Sequence, residues 1–275
     1  MIFALSLTAV LLFMSLIWLF SVRLKNASIV DIFWGTGFVY TAAIYFFLTE
    51  GYLPRKILIM ALVAIWGLRL SYHIFRRNHG KGEDPRYAAW RQEFGPQRYW
   101  WISFFQVFML QGVILWVVSF PLMAAQSYNA PFTVWDGLGL LVWGVGFYFE
   151  AVGDRQLAQF KANPANKGKI MNTGLWAYTR HPNYFGDAAV WWGFYLIAFA
   201  TSFGFWDCVG FCSFEDILRH IGGWWTIFSP IIMTALLMRV SGVTLLEKSM
   251  EQRPGYKEYI ASTSSFFPLP PKKSS

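Results

Sequence analysis

The sequence predicts an all-α integral membrane protein of seven transmembrane helices, and three observations predict it. Of its 275 residues 56% are hydrophobic and 20% aromatic, while only 14% are charged, against about 25% charged in an average soluble domain. Apolar runs of ~20 residues, long enough to cross a bilayer core, recur along the chain. The basic residues gather in alternate loops, as the positive-inside rule requires.

The first span is expected over Ile2–Val22, followed by Arg23 and Lys25. It does not read as a cleavable signal, because no Lys or Arg precedes the apolar run and no small-residue cleavage site follows it. The second covers Ile29–Leu48, with Asp31 near its start, and Pro54, Arg55 and Lys56 then read as a turn. The third, Ile57–Phe75, carries Arg69 and His73. A polar loop from Arg76 to Arg98 leads to a fourth span over Ile102–Ala125. The fifth, Trp135–Val152, ends near Glu150 and Asp154, and a second polar loop runs from Arg155 to Arg180. The sixth is Phe185–Trp206 and the seventh Trp224–Leu246, with Arg239 inside it.

The loops after spans one, three and five and the C-terminal tail are rich in Lys and Arg, whereas the opposite side has only Arg55, Lys56 and Arg219. That parity puts the N-terminus outside and the C-terminus in the cytoplasm. No internal repeat or domain boundary interrupts residues 1–275, which read as a single membrane domain and as a monomer. A bacterial inner membrane is the expected location, or the endoplasmic reticulum in a eukaryote, where the terminal Lys272-Lys273-Ser-Ser could act as a retrieval address. The net charge of +8 would suggest nucleic acid in a soluble protein. Here the cations lie in loops, so membrane lipid is the expected partner and nucleic acid is not. Cys208 and Cys212, four apart, form no zinc set. They read as two thiols on a loop, or as a disulfide if that loop faces an oxidising compartment.

Charged groups at membrane depth are costly, so each is a functional candidate: Asp31, Arg69, His73, Glu150, Asp154, Arg239 and Glu247. Glu150 and Asp154 share a helix face, as do Arg69 and His73. A structural Arg69–Asp31 pair and a catalytic role remain equal alternatives for that group. The most concentrated stretch is Gly174–Asp187, in which Arg180, His181, Asn183, Tyr184 and Asp187 fall within eight residues. Pro182 can open the following helix, whose free N–H groups then face the loop as an anion site does. The alternative is a juxtamembrane loop that meets lipid phosphate. Arg76, Arg86, Lys161, Lys169 and Arg180 could bind a phosphate-bearing cofactor. Acids and aromatics interleave with them (Glu83, Asp84, Tyr87, Tyr178), which a pocket needs and a topology signal does not. No dinucleotide-binding glycine motif, phosphate loop, Ser-His-Asp set or zinc helix is present.

Arg180-His-Pro-Asn-Tyr-Phe-Gly-Asp187, backed by Trp191-Trp192-Gly193, resembles the superfamily that joins membrane steroid 5α-reductases, sterol reductases and isoprenylcysteine carboxyl methyltransferases. The resemblance is good from Glu150 to Pro268. It extends more weakly to Asp31-Ile-Phe-Trp-Gly35 and to Arg77-Asn-His-Gly-Lys-Gly-Glu-Asp-Pro-Arg-Tyr87, which are similar to bacterial steroid-5α-reductase-like proteins. It implies NADPH rather than S-adenosylmethionine, through Asn183 and the acid Asp187. It places Glu150, Asp154, Lys161, Arg76 and Arg86 near the cofactor. Residues 1–125 become the substrate side and 135–268 the cofactor side. The animal enzymes carry a Gln-Glu pair and a Tyr around the steroid ketone. Here the nearest acids are Asp31 and Glu50, and the Tyr position falls near Tyr72 or His73. The implied reaction is reduction of the Δ4 C=C bond of a 3-oxo-steroid or similar lipophilic enone. An S-adenosylmethionine-dependent lipid or prenylcysteine methyltransferase is the first alternative and a non-enzymatic membrane carrier the second.

Overall fold

The computed structural model describes residues 1–203, 222–240, 242–250 and 252–272. Cys208, Cys212, Glu215, Asp216, Arg219 and the predicted 207–222 loop lie outside the described residues, apart from Gly222. The described chain is all-helical, without a β-strand. It forms two compact units, one built on Met1–Pro131 and the other on Phe132–Ala200 with the described residues from Trp224 onward.

In the first unit α1 is Ile2–Leu24, α2 Ile29–Leu48 and α3 Leu53–Asn78. Each is long and apolar enough to cross a membrane, as is the helical run Pro96–Ser127. α2 and α3 pack closely because Gly35 and Gly67 face each other: a Cβ on Gly67 would lie 2.5 Å from the Gly35 carbonyl oxygen. Ser71 Oγ locks the same level, accepting from the Thr36 N–H at 2.9 Å.

Two sequence expectations change here. Pro54 does not sit in a turn; it opens α3 in its first turn, where its missing N–H costs nothing. Arg55 and Lys56 are therefore inside the helix and buried. Arg55 donates to the carbonyls of Ala130 and Pro131 at 2.7 and 2.9 Å, and Lys56 to the Thr49 carbonyl. These cations cap loop ends. The fourth span is also not one regular helix. After the short helix α4 (Pro85–Phe94), α5 (Pro96–Ser103) passes through a π-helical stretch, Phe104–Met109, into α6 (Leu110–Val118). α7 (Phe120–Ser127) restarts after Ser119 with Pro121 in its first turn, because a proline cannot continue the ladder of α6.

The second unit is organised on α8 (Val134–Ala162) and α9 (Pro182–Phe199). α8 starts at a capping box between Thr133 and Asp136. Its 29 residues run ~44 Å at 1.5 Å each. It passes Val152, its expected end, and leaves Glu150 and Asp154 inside the helix. Its buried face is Gly139, Trp143, Gly146, Glu150, Gly153 and Asp154. Small residues at this spacing let two backbones approach. A Cβ on Gly146 would lie 2.6 Å from the Gly186 carbonyl oxygen, and one on Gly139 2.8 Å from that of Gly193. The glycine contact fixes the register that sets Asp154 beside the first turn of α9. The predicted seventh span is likewise interrupted. A 3-10 turn (Trp224–Ile227) leads into α10 (Phe228–Ala235), a π-helical stretch (Leu236–Val240), α11 (Val243–Met250) and α12 (Tyr256–Ser262).

Candidate functional site

The first unit gathers its charges where the α1–α2 turn meets the loop after α3. Asp31 Oδ2 accepts from Arg86 at 2.9 Å, and Asp31 Oδ1 accepts from the Tyr87 hydroxyl at 2.7 Å. Gln111 Nε2 donates to the same hydroxyl at 3.2 Å. Arg86 also bonds Asp84, which caps α4 by accepting from the Arg86 N–H. Glu83 takes both Arg91 nitrogens at 2.7 and 2.8 Å and the Ala27 N–H at 2.6 Å. Burial, and then the Asp31 charge, push the Tyr87 phenol well above its ordinary range. Burial works against the Asp84 carboxylate, but the hydrogen bonds from Arg86 hold its pKa below the ordinary value. The loop is thus sewn to the start of α2 by two acid–arginine sets.

The partner of Asp31 is Arg86, not Arg69. Glu50 is exposed at the far end of α2. It lies nineteen residues from Asp31, or ~28 Å along a helix, so the two acids cannot serve one site. Tyr72 is 62% exposed, His73 is half-buried and Arg76 is exposed.

The second unit holds the densest polar set. Asn183, in the first turn of α9, donates from Nδ2 to Asp154 Oδ1 at 3.1 Å and accepts from the Tyr184 N–H at 3.1 Å. The carboxylate thereby fixes which way the amide points. Glu150 and Asp154 are buried, at 2% and 7% exposure. His181 stacks on Tyr184, with ring centroids 5.5 Å apart and planes 9° apart, and Asp187 is half-buried. Lys161, in the last turn of α8, and Lys169 and Tyr178 beyond it are exposed.

Arg180 behaves unlike the other predicted phosphate ligands. It is buried; Nε donates to Glu247 Oε1 at 2.8 Å, and Nη2 forms an ion pair with the same oxygen at 2.8 Å. Nη1 donates to the carbonyls of Thr263 and Ile260. Its guanidinium is committed to α11 and the tail, so it clamps the loop. His181 Nε2 approaches the same Glu247 oxygen at 3.2 Å. Burial lowers the His181 pKa, and Glu247 offsets part of that shift. Tail and loop are stitched further by the Arg180 N–H on the Ser264 carbonyl, 2.8 Å, the Leu269 N–H on the Tyr178 carbonyl, 3.0 Å, and the Tyr259 hydroxyl on the Trp176 carbonyl, 2.5 Å. Trp176 donates on to the Gly153 carbonyl of α8. Arg239 is exposed in the π-helical stretch.

Sequence reasoning missed three participants. Gln111 carried a signal, an amide inside an apolar span. Trp176 and Tyr259 carried none, because aromatics are common throughout this chain. No group of three or more metal-ligating side chains occurs among the described residues.

A multi-helix membrane protein with an amide–carboxylate pair and a clamped basic loop at one helix entrance is the class that fold and site define. The chain belongs to the family described as protein of unknown function DUF1295, which matches residues 17–212 and 205–263 and lies in the steroid 5-alpha reductase-like superfamily. It is 27% identical over 280 residues to the uncharacterized protein C594.04c of Schizosaccharomyces pombe, covering 92% of this chain and 76% of that one. It is 44% identical over 46 residues to a probable O-methyltransferase, ustE, of Ustilaginoidea virens, covering 17% of this chain and 16% of that one. No solved structure matches.

Proposed function

We propose that this protein is an NADPH-dependent reductase of a C=C bond conjugated to a ketone in a lipophilic, steroid-like substrate. The observation that carries the reading is the Asn183–Asp154 pair, 3.1 Å apart, at the entrance to α9 in a chain of the steroid 5-alpha reductase-like superfamily. The donor set fits a nicotinamide nucleoside. The oriented Asn183 amide can pair with a carboxamide, Glu150 and Asp154 accept from hydroxyls, and Lys161 and Lys169 suit phosphates. NADPH supplies a hydride for the β-carbon of the enone. The buried α8–α9 face excludes water, which strengthens each polar contact there. Delivery of that hydride builds negative charge on the ketone oxygen. A neutral donor at the oxygen stabilises the enolate that develops. Seven spans, with the N-terminus outside and the C-terminus cytoplasmic, complete the reading: the cofactor enters from the cytoplasm and the substrate from the bilayer.

A second reading is an S-adenosylmethionine-dependent methyltransferase, favoured by the 46-residue similarity to the probable O-methyltransferase. Thermal shift of detergent-purified protein with NADPH, NADH and S-adenosylmethionine separates the two. Selective stabilisation by NADPH, lost in N183A, is expected. Stabilisation by S-adenosylmethionine alone would overturn the reductase.

A further inference from the structure

The Glu247 carboxylate does more than neutralise a buried arginine. Its Oε1 receives Arg180 Nε and Nη2, both at 2.8 Å, and His181 Nε2 at 3.2 Å. An ionised carboxylate only accepts hydrogen bonds, and a neutral imidazole donates from one nitrogen and accepts at the other. Nε2 must therefore carry the proton. Nδ1 is then an acceptor, and no described residue donates to it. Stacking on Tyr184, planes 9° apart, holds the ring plane. Burial disfavours a second proton; Glu247 opposes that in part, and the neighbouring Arg180 cation adds to it.

We propose that Glu247 is a positioning residue that locks His181 in the Nε2–H tautomer, so that Nδ1 accepts a hydrogen bond from a neutral donor on the ligand, a hydroxyl or an amide N–H. Anionic oxygens are excluded from that spot, because Nδ1 has no proton to offer them. Arg180 acts with Glu247 and does not touch the ligand. The choice of donor rests on the reading of the site as a nucleoside pocket; the tautomer lock does not.

The test is long-range proton–nitrogen correlation on full-length, detergent-purified protein labelled with 15N-histidine. The chain has four histidines, and loss of one set of signals in H181N assigns His181. At pH about 7.5, a unit above the ordinary imidazole pKa, the ligand-free protein should show a protonated Nε2 and an unprotonated Nδ1. E247Q keeps an acceptor oxygen and should keep that pattern, whereas E247A should lose it. An Nδ1–H tautomer or an imidazolium in the wild type would overturn the lock, as would a folded E247A with an unchanged pattern. If E247A does not fold, the wild-type spectrum still decides. Saturating NADPH or S-adenosylmethionine should then move the Nδ1 resonance. If a cofactor that stabilises the protein leaves that resonance unmoved, the acceptor role is overturned. Absence of thermal stabilisation in the same samples separately removes the cofactor reading and leaves the lock standing.

Discussion

Replacing Arg180 by methionine keeps the volume of the side chain and removes every donor of the clasp. Glu247 Oε1 loses two contacts at 2.8 Å, and the carbonyls of Ile260 and Thr263 lose their shared donor. The arginine is 8% exposed and the glutamate 21%, so water reaches the orphaned carboxylate only partly. Removing one partner of a buried ion pair costs ~3–5 kcal/mol. Partial access of Glu247 to water argues for the lower end. The bonds to carbonyls overlap with that figure and are not added to it, since one network is not a sum of pairs. The expected outcome is a loss of ~3 kcal/mol, concentrated in the contact between the 174–181 loop and the tail. Hydrogen exchange in R180M should rise at the amides of position 180 and Leu269, both of which bond across that contact. The Gly146 backbone of the α8–α9 contact should stay protected. Unchanged exchange at Arg180 and Leu269, with a melting shift worth under ~1 kcal/mol, the level of a surface pair, would refute the clasp.

Gly146→Val places a branched side chain 2.6 Å from the Gly186 carbonyl oxygen. Overpacking of this kind costs ~1–3 kcal/mol or more, so a lower melting temperature or failed expression is expected, while Gly144→Ala, with open space around it, should be neutral. Tyr87→Phe removes the donor to Asp31 and the acceptor for Gln111. A buried hydrogen bond to a charged group is worth ~1.5–3 kcal/mol, and chemical denaturation should read that loss. The folded-state pKa of His181 is depressed, by burial ahead of the opposing Glu247 charge. A depressed histidine contributes stability above the unfolded value of about 6.5 that is lost as pH falls through the window below it. Arg180 and Glu247 are the charged groups facing the ring. The melting temperature should therefore drop on acidification below about pH 6.5 with a slope that H181N reduces, and an unchanged slope would contradict the assignment.

The sequence carried the helical membrane character and the crowded Arg180–Asp187 stretch, because both rest on local patterns. Apolar runs have a length that a bilayer fixes, and a polar cluster beside such a run is costly unless it has partners. What the sequence withheld was pairing. Nothing local said that Asp31 takes Arg86, fifty-five residues away, in place of Arg69 on a facing helix. Nothing local said that Arg180 is used up by Glu247 and the tail. Counting cations could not separate Arg180, which is buried, from Lys169, which is exposed. The irregular spans were not anticipated: the expected span Ile102–Ala125 ran straight through Pro121, which breaks the helix before α7. The π-helical stretches at Phe104–Met109 and Leu236–Val240 had no signal in periodicity.

Arg86 and Arg180 differ from the exposed lysines in what holds them. A loop rich in Lys and Arg satisfies topology and phosphate binding equally well by composition, so composition cannot choose. Geometry divides the cations by what already holds them. Arg86 and Arg180 are each tied to acids that lie more than fifty residues away, and both ties join segments distant in the sequence. Their work is to hold shape, which costs little in specificity for any cofactor. In the proposed pocket, discrimination falls to other groups: the Asn183 amide oriented by Asp154, the acceptor nitrogen of His181, and the buried Glu150 carboxylate. All three can accept from hydroxyl and amide donors, as a nucleoside presents. A substitution at Arg180 should therefore weaken every ligand of the site together through loss of shape. One at Asn183 should instead change which ligand binds.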